Sequence, residues 1–212
     1  MSKLILYSGG LDSTALLYRH APEIRLAVSF DYGSKHNARE LECARINTQR
    51  AGIEHLVVPL DFIEHHFESH LLKTGDAIPH GHYTDPVMKQ TVVPFRNGIL
   101  LAIACGLAES RGLSAVLIAN HAGDHPIYPD CREEFIRAMG DAMRTGTYAG
   151  IRLEAPFVDL TKRVIALHAR EIGVDFSLTW SCYEGGEVHC GRCGTCIERR
   201  EALDGFDPTV YN

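Results

Sequence analysis

The sequence predicts an α/β protein built on one doubly wound, five-stranded parallel sheet. Two observations predict it. Strand-length apolar runs alternate with helix-length segments, and the connections between them are short. The same alternation returns after a long irregular interruption, so five strands are available to a single sheet of the Rossmann-like kind.

Leu4-Ile5-Leu6-Tyr7 is the first strand, and Ser8-Gly9-Gly10 ends it. Asp12 to about His20 reads as a helix with Ala15, Leu16 and Leu17 apolar. Arg25 to Phe30 is the second strand. Asn37 to Ala51 is a helix because Leu41, Ala44 and Thr48 fall at helical spacing among charges, and Gly52 stops it. Glu54 to Pro59 is the third strand. After the interruption, Asn97 to Arg111 is an apolar helix and Ala115 to Ala119 a buried strand. Arg132 to Thr145 is a helix, Ile151 to Ala155 the fifth strand, and Thr161 to Glu171 a helix. The interruption, Phe62 to Lys89, holds no period and mixes His65, His66, His70, His80 and His82 with Gly75, Pro79, Gly81 and Pro86. It is expected to be a mobile surface segment, with a lid as the alternative. The chain therefore divides into an α/β domain, 1–177, and a tail, 178–212, that holds four of the seven cysteines.

Length and composition limit what such a chain does. Its 212 residues suffice for one large domain with a short appendage. At 45% hydrophobic and 23% charged it has globular composition. A net charge of −6 argues against coating a nucleic-acid backbone. A local phosphate pocket remains open to it, since that needs a few amides and one or two cations. No stretch approaches the roughly 20 apolar residues of a spanning helix. No secretory leader is read ahead of the first strand, and seven cysteines cannot all pair within the chain. A cytoplasmic, reduced protein without nucleic-acid or membrane partners is expected.

Two motifs carry chemistry. Ser8-Gly9-Gly10-Leu11-Asp12-Ser13 follows a strand and opens a helix. The glycines are suited to φ > 0 and to close approach of a ligand, and Ser8, Ser13 and free helix-start amides would surround an anion. Asp12 would hold a divalent metal against phosphates or cap the helix. Neither the Walker loop nor G-x-G-x-x-G is present. The string S-G-G-x-D-S resembles the pyrophosphate loop of the N-type ATP pyrophosphatases, the adenine nucleotide alpha hydrolase-like group. The second motif is Cys182, Cys190, Cys193 and Cys196, spaced C-x7-C-x2-C-x2-C. Four thiols in a reduced compartment describe a structural Zn²⁺ site, although an iron–sulfur cluster also uses four cysteines. His189 is adjacent, but four cysteines suffice. Cys43 and Cys105 are read as small core residues, and Cys131 as a thiol near the site.

Three further strings narrow the match: Phe30-Asp31-Tyr32-Gly33 with His36, Tyr128-Pro129-Asp130-Cys131-Arg132, and Leu178-Thr179-Trp180-Ser181-Cys182. With the two motifs, they make the chain resemble the QueC family, the 7-cyano-7-deazaguanine synthases of queuosine biosynthesis, over about Leu4 to Ala202. The resemblance implies an ATP-dependent ligase, homodimeric, with ATP, Mg²⁺ and Zn²⁺ as its cofactors. It implies that 7-carboxy-7-deazaguanine is adenylated, converted to the amide by ammonium, adenylated again, and released as the nitrile preQ0. No glutaminase domain is read in the chain, so free ammonium is the implied nitrogen source.

Carried onto this sequence, the resemblance assigns the ATP phosphates to the first loop and its flanks, Leu6, Tyr7, Ser8, Gly9, Gly10, Leu11, Asp12, Ser13, Thr14, Ala15 and Leu16. It gives Ser8, Asp12, Ser13, Arg96 and Lys162 to the chemistry. Phe30, Asp31, Tyr32, Arg96, Asn97 and Asp130 go to the substrate, with Asp130 set to read a guanine-like edge or else to cap the helix from Arg132. Cys182, Cys190, Cys193 and Cys196 go to zinc. The chain departs from the family's pattern at three places. Phe95 replaces a glycine in Val93-Pro94-Phe95-Arg96-Asn97, Ser34-Lys35 replaces Gln-Arg, and Asp124-His125-Pro126-Ile127 precedes Tyr128. These departures are expected beside the substrate pocket, where a diverged acceptor, or nucleotide sensing without turnover, becomes the alternative function.

Overall fold

The computed structural model describes every residue except Met1 and Thr84. Five parallel strands form one sheet: β1 (Lys3–Leu6), β2 (Ile24–Asp31), β3 (Glu54–Pro59), β4 (Ala115–Leu117) and β5 (Arg152–Glu154). Their order is β3-β2-β1-β4-β5. The helices are α1 (Leu11–Arg19), α2 (Asn37–Ala51), α3 (Asp61–His66), α4 (Arg96–Ser110), α5 (Glu133–Thr145), α6 (Lys162–Glu171) and α7 (Gly194–Ala202). The expected α/β fold and strand count hold, and element ends shift by one or two residues.

Strand alternation builds two apolar layers. Leu4, Leu26, Val28, Phe30 and Val116 face one side, with Leu100, Leu101, Ala104 and Met143. Ile5, Ala27 and Leu117 face the other, with Leu16, Leu17, Ile165 and Ala169. Successive strand residues point to opposite faces, so each strand feeds both layers. A parallel sheet covered on both sides needs such unbroken apolar runs. The chain begins at the central β1, winds out to β3, then crosses back to β4. The winding direction reverses between β1 and β4, and a crevice opens at their C-terminal ends there.

The segment from Phe62 to Lys89 differs from its expectation. It is packed rather than free: Ile63, Leu71, Leu72, Ile78, Tyr83 and Met88 are buried. Ser34 and Leu72 form an antiparallel bridge, and so do His80 and Cys193. Lys35 Nζ donates to the carbonyls of His70 (2.8 Å), Gly75 (3.1 Å) and Asp76. The apolar residues are irregularly spaced because they fill separate gaps, so no period marks them. The histidines do not gather; His80 pairs with Glu184 at 3.3 Å and His70 with Asp76 at 3.8 Å.

The tail is equally well seated. Cys182, Cys190, Cys193, Cys196 and Trp180 belong to the same apolar layer as Leu4 and Val28. Trp180 donates its backbone N–H to Gly9 at 3.1 Å. The boundary at 177/178 thus separates two kinds of chemistry that share a core.

Candidate active site

The loop after β1 is ordered by its own hydroxyls. Ser8 Oγ accepts from the Gly10 N–H at 3.1 Å and lies 3.1 Å from Ser13 Oγ. Ser13 Oγ donates to the Gly10 carbonyl at 3.2 Å. The two glycines differ in conformation and surroundings. Gly9 has φ +90, and a Cβ there would stand 2.2 Å from the Glu40 carbonyl oxygen. The close approach at Gly9 is made by the backbone of α2. Gly10 is extended, at φ −74.

One cavity lies at the reversal point. It is lined by Leu6, Tyr7, Ser8, Gly10, Leu11, Asp12 and Ser13 from the first loop, and by Phe30, Tyr32, Arg96, Asn97 and Lys162. Gly9, Thr14, Ala15, Leu16, Asp31 and Asp130 are not on its wall. Thr14 Oγ1 bonds the Tyr7 hydroxyl at 3.0 Å, and Ala15 and Leu16 fill the core. Asp31 Oδ1 accepts from the Gly33 N–H at 3.4 Å. Asp130 neither faces the cavity nor caps the helix that follows it. Its Oδ2 accepts from the Asn97 N–H at 2.8 Å, satisfying an unpaired donor in the first turn of α4.

Two polar groups share the cavity. In the first, Asp12 Oδ2 lies 3.1 Å from Lys162 Nζ and 3.7 Å from His121 Nε2. Burial alone would raise the Asp12 carboxyl, but Lys162 and His121 outweigh it and hold it below its ordinary range. Burial likewise works against the charge on Lys162, and Asp12 and Glu198 outweigh it and hold the ammonium above its ordinary value. In the second group, Arg96 donates to the Tyr32 hydroxyl at 3.2 Å and lies over its ring at 5.7 Å. Tyr128 and Tyr183 hydroxyls are 3.0 Å apart, and Tyr183 packs on His36 at 5.2 Å. Tyr83 joins the groups by donating to Asp124 at 3.0 Å.

Asp12 Oδ1, Asn120 Oδ1 and His36 Nδ1 are buried without a hydrogen-bond partner, and each belongs to a residue on the cavity wall. Buried polar atoms left in this way mark a place where a ligand or ion completes the bonding. Asp12 therefore fits a role as a cation ligand beside an anion site.

Sequence reasoning missed Glu40, Asn120, His121 and Glu198. None sits in a recognisable string, and each reads locally as an ordinary polar residue. The three departures from the family pattern mostly lie away from the cavity. Lys35 anchors the neighbouring loop, Ser34 bonds Asn37 Oδ1 at 3.0 Å, and Phe95 is 61% exposed. Ile127 is buried with Tyr83, Met88 and Tyr128, so of that string only Asp124 lines the wall. They are framework residues because the loops they serve sit behind the wall. Cys131 does line it, but burial pushes its thiol well above the ordinary value, which makes it a poor nucleophile.

The tail gathers its four cysteines. Cys182, Cys190, Cys193 and Cys196 are buried, with their sulfur atoms within 4.8 Å of one another. A tetrahedral ion with Zn–S bonds of about 2.3 Å needs sulfurs roughly 3.8 Å apart. None forms a disulfide. The Cys190 N–H donates to Cys182 Sγ and the Cys193 N–H to Cys190 Sγ, each at 3.3 Å. Such outer-shell bonds orient thiolates toward a metal. His189 stays outside: its Nε2 accepts from the Ser181 N–H at 3.2 Å, and its ring packs on Trp180 at 4.2 Å. The donor set fits a structural metal such as zinc.

The family model described as "Queuosine biosynthesis protein QueC" matches residues 2–207. The chain belongs to the QueC family. A 7-cyano-7-deazaguanine synthase of Porphyromonas gingivalis is 58% identical to this QueC-family chain, covering 98% of it and 96% of the relative. One from Desulfotalea psychrophila is 48% identical, covering 100% and 99%. The NMN synthetase of Francisella tularensis shares the fold, with a TM-score of 0.53 at 14% identity over 99% of this chain and 79% of its own. No helix among the described residues is long and apolar enough to cross a membrane.

Proposed function

We propose that the chain converts 7-carboxy-7-deazaguanine and ammonium to 7-cyano-7-deazaguanine, spending ATP twice. A carboxylate is a poor electrophile, so its oxygen is first joined to the α phosphorus of ATP and pyrophosphate leaves. Ammonia displaces AMP and leaves the amide. The amide oxygen is then adenylated with loss of a second pyrophosphate, and loss of AMP with a proton leaves the nitrile. The pathway is queuosine biosynthesis, the enzyme class an ATP-dependent ligase forming C–N bonds. A homodimer in the cytoplasm belongs to the same reading.

The observation that carries it is the cavity, where the Ser8-to-Ser13 loop and the tyrosine-ringed Arg96 share one wall. Ser8, Gly10 and Ser13 bind the polyphosphate, and Lys162 spreads its charge. Asp12 would hold Mg²⁺, which when bound would offset the charge of the leaving pyrophosphate. Little covalent chemistry is asked of the protein; fixed donors aimed at the developing charge do most of the work. Arg96 is placed to pair with the acid by parallel N–H bonds, while Phe30, Tyr32 and Tyr183 flank the flat base. Zinc at the four cysteines is structural.

Purified protein with ATP, Mg²⁺, ammonium and 7-carboxy-7-deazaguanine is expected to yield the amide and then the nitrile, with two AMP formed per nitrile. Mass spectrometry follows both products. Absence of both, with the protein folded and metal-loaded, overturns the assignment. Asp12→Ala is expected to abolish pyrophosphate release while the circular dichroism spectrum is kept.

A further inference from the structure

Lys162 is held from two sides. Its Nζ lies 3.1 Å from Asp12 Oδ2 and 2.8 Å from Glu198 Oε2. Glu198 does not come from the sheet connections. It stands on α7, whose N-cap is Cys193 and whose first turn carries Cys196.

The rotation of α7 is fixed by bonds that have nothing to do with Lys162. Arg199 is fully buried and donates to Thr179 Oγ1 at 2.9 Å, Ser181 Oγ at 3.1 Å and the Phe176 carbonyl at 2.7 Å. Arg163, on α6, donates to the carbonyls of Ala202 and Asp204, both at 2.9 Å. The space around Glu198 is closed as well: a Cβ on Gly123 would stand 3.0 Å from its Oε1. Its carboxylate is therefore delivered to one place.

The consequence falls on Lys162. A lysine ammonium is a compact charge with three donors on a flexible four-carbon stem, so a single carboxylate does not fix where it sits. Here the ammonium is shared, Asp12 Oδ1 keeps no hydrogen-bond partner, and Lys162 stays on the cavity wall.

We propose that Glu198 is a positioning residue for the nucleotide site: the tail helix holds Lys162 between two carboxylates so that the ammonium stays on the wall that takes the polyphosphate of ATP. This rests on the ATP-using function proposed above. It gives the four-cysteine tail a part in nucleotide binding beyond its own stability.

The test uses metal-loaded, full-length protein and a non-hydrolysable ATP analogue, with binding read by calorimetry and steady-state rates alongside. Glu198→Ala is expected to weaken analogue binding and raise KM for ATP about tenfold, the loss expected for a bond to a charged group. KM for the deazaguanine acid is expected to change less than about twofold. Glu198→Gln keeps an acceptor oxygen at the same reach and is expected to recover most of the affinity. If Glu198→Ala fails to fold, Glu198→Asp, one methylene short, is expected to show the same ATP-selective loss. A folded Ala or Asp variant with the parent's metal content and affinity overturns the proposal, and so does a Gln variant no better than Ala. A parent protein that binds no analogue overturns the ATP function itself, and the role of Glu198 with it.

Discussion

Glu40 and His36 show how burial decides charge at a single residue. They face each other on the cavity wall at 3.5 Å. Burial pushes the Glu40 carboxyl up from 4.5 to about 8, against the pull of Arg96. Burial, helped by Arg96, pushes His36 down from 6.5 to about 3. Near neutral pH both are largely uncharged, so neither offsets the charge of the neighbouring Arg96. The two groups act oppositely on stability. Folded Glu40 keeps a proton that the unfolded chain releases above about 4.5, so its contribution is complete below that pH and is lost as pH rises toward about 8. Unfolded His36 takes up a proton that the folded state refuses, so its contribution is present above 6.5 and is lost as pH falls toward about 3. Glu40→Gln removes the first slope alone. Its melting temperature is expected to exceed the parent's by more at pH 8 than at pH 5, with a difference of a few kcal/mol accumulating across the window. A gap that stays constant or narrows with pH refutes a buried, proton-holding Glu40. Neither residue's state was legible in the sequence. Glu40 there is one more acid on a charged helix, and only the packing of α2 against the first loop takes it out of water.

The start of α4 shows the same gap at the scale of an element. The sequence places the helix correctly, since Asn97 to Arg111 is apolar and of helical length. It does not show how the helix is opened. Phe95 takes the N-cap position at φ 53 and ψ 26, the one non-glycine residue with positive φ among those described. That conformation costs an L-residue on the order of 1–2 kcal/mol. Part of the cost is offset by packing: the Phe95 ring meets Phe135 edge-on at 5.8 Å, and it lies where a Cβ on Gly98 would be, 2.3 Å away. A glycine at this position would remove the strain. Phe95→Gly and Phe95→Ala delete the same ring, and only glycine frees the backbone. The glycine variant is therefore expected to be the more stable of the two by about 1 kcal/mol, read from urea unfolding midpoints. Equal midpoints mean that no strain resides there. Asp130 belongs to this element too. Its carboxylate looked like a base reader or a cap for α5, yet it caps α4, a pairing across the fold that no local spacing encodes.

Over the whole molecule, the tail and the sheet behave as one body. The four cysteines lie in the same apolar layer as β1 and β2, and Arg199 ties α7 to the segment from Phe176 to Ser181. A structural metal contributes its binding energy to folding. Removing it with a chelator, or replacing Cys193 with serine, is accordingly expected to lower the temperature of a single cooperative calorimetric transition. A separate low-temperature melt of the tail, with the main transition unmoved, is the contrary result. By itself the sequence determined the strand and helix rhythm, the phosphate loop and the four-cysteine set. Each is written in spacing along the chain, and spacing survives without a fold. The packed course of the Phe62 to Lys89 segment was hidden because its apolar residues fill separate gaps and share no period. The tertiary structure alone decided which charges meet. Lys162 finds Glu198 across 36 residues, and Lys3 finds Glu154 across 151. The first pair joins the tail helix α7 to the start of α6, and the second joins β1 to β5 across β4; both are set by the order of elements in the fold, which no local spacing encodes.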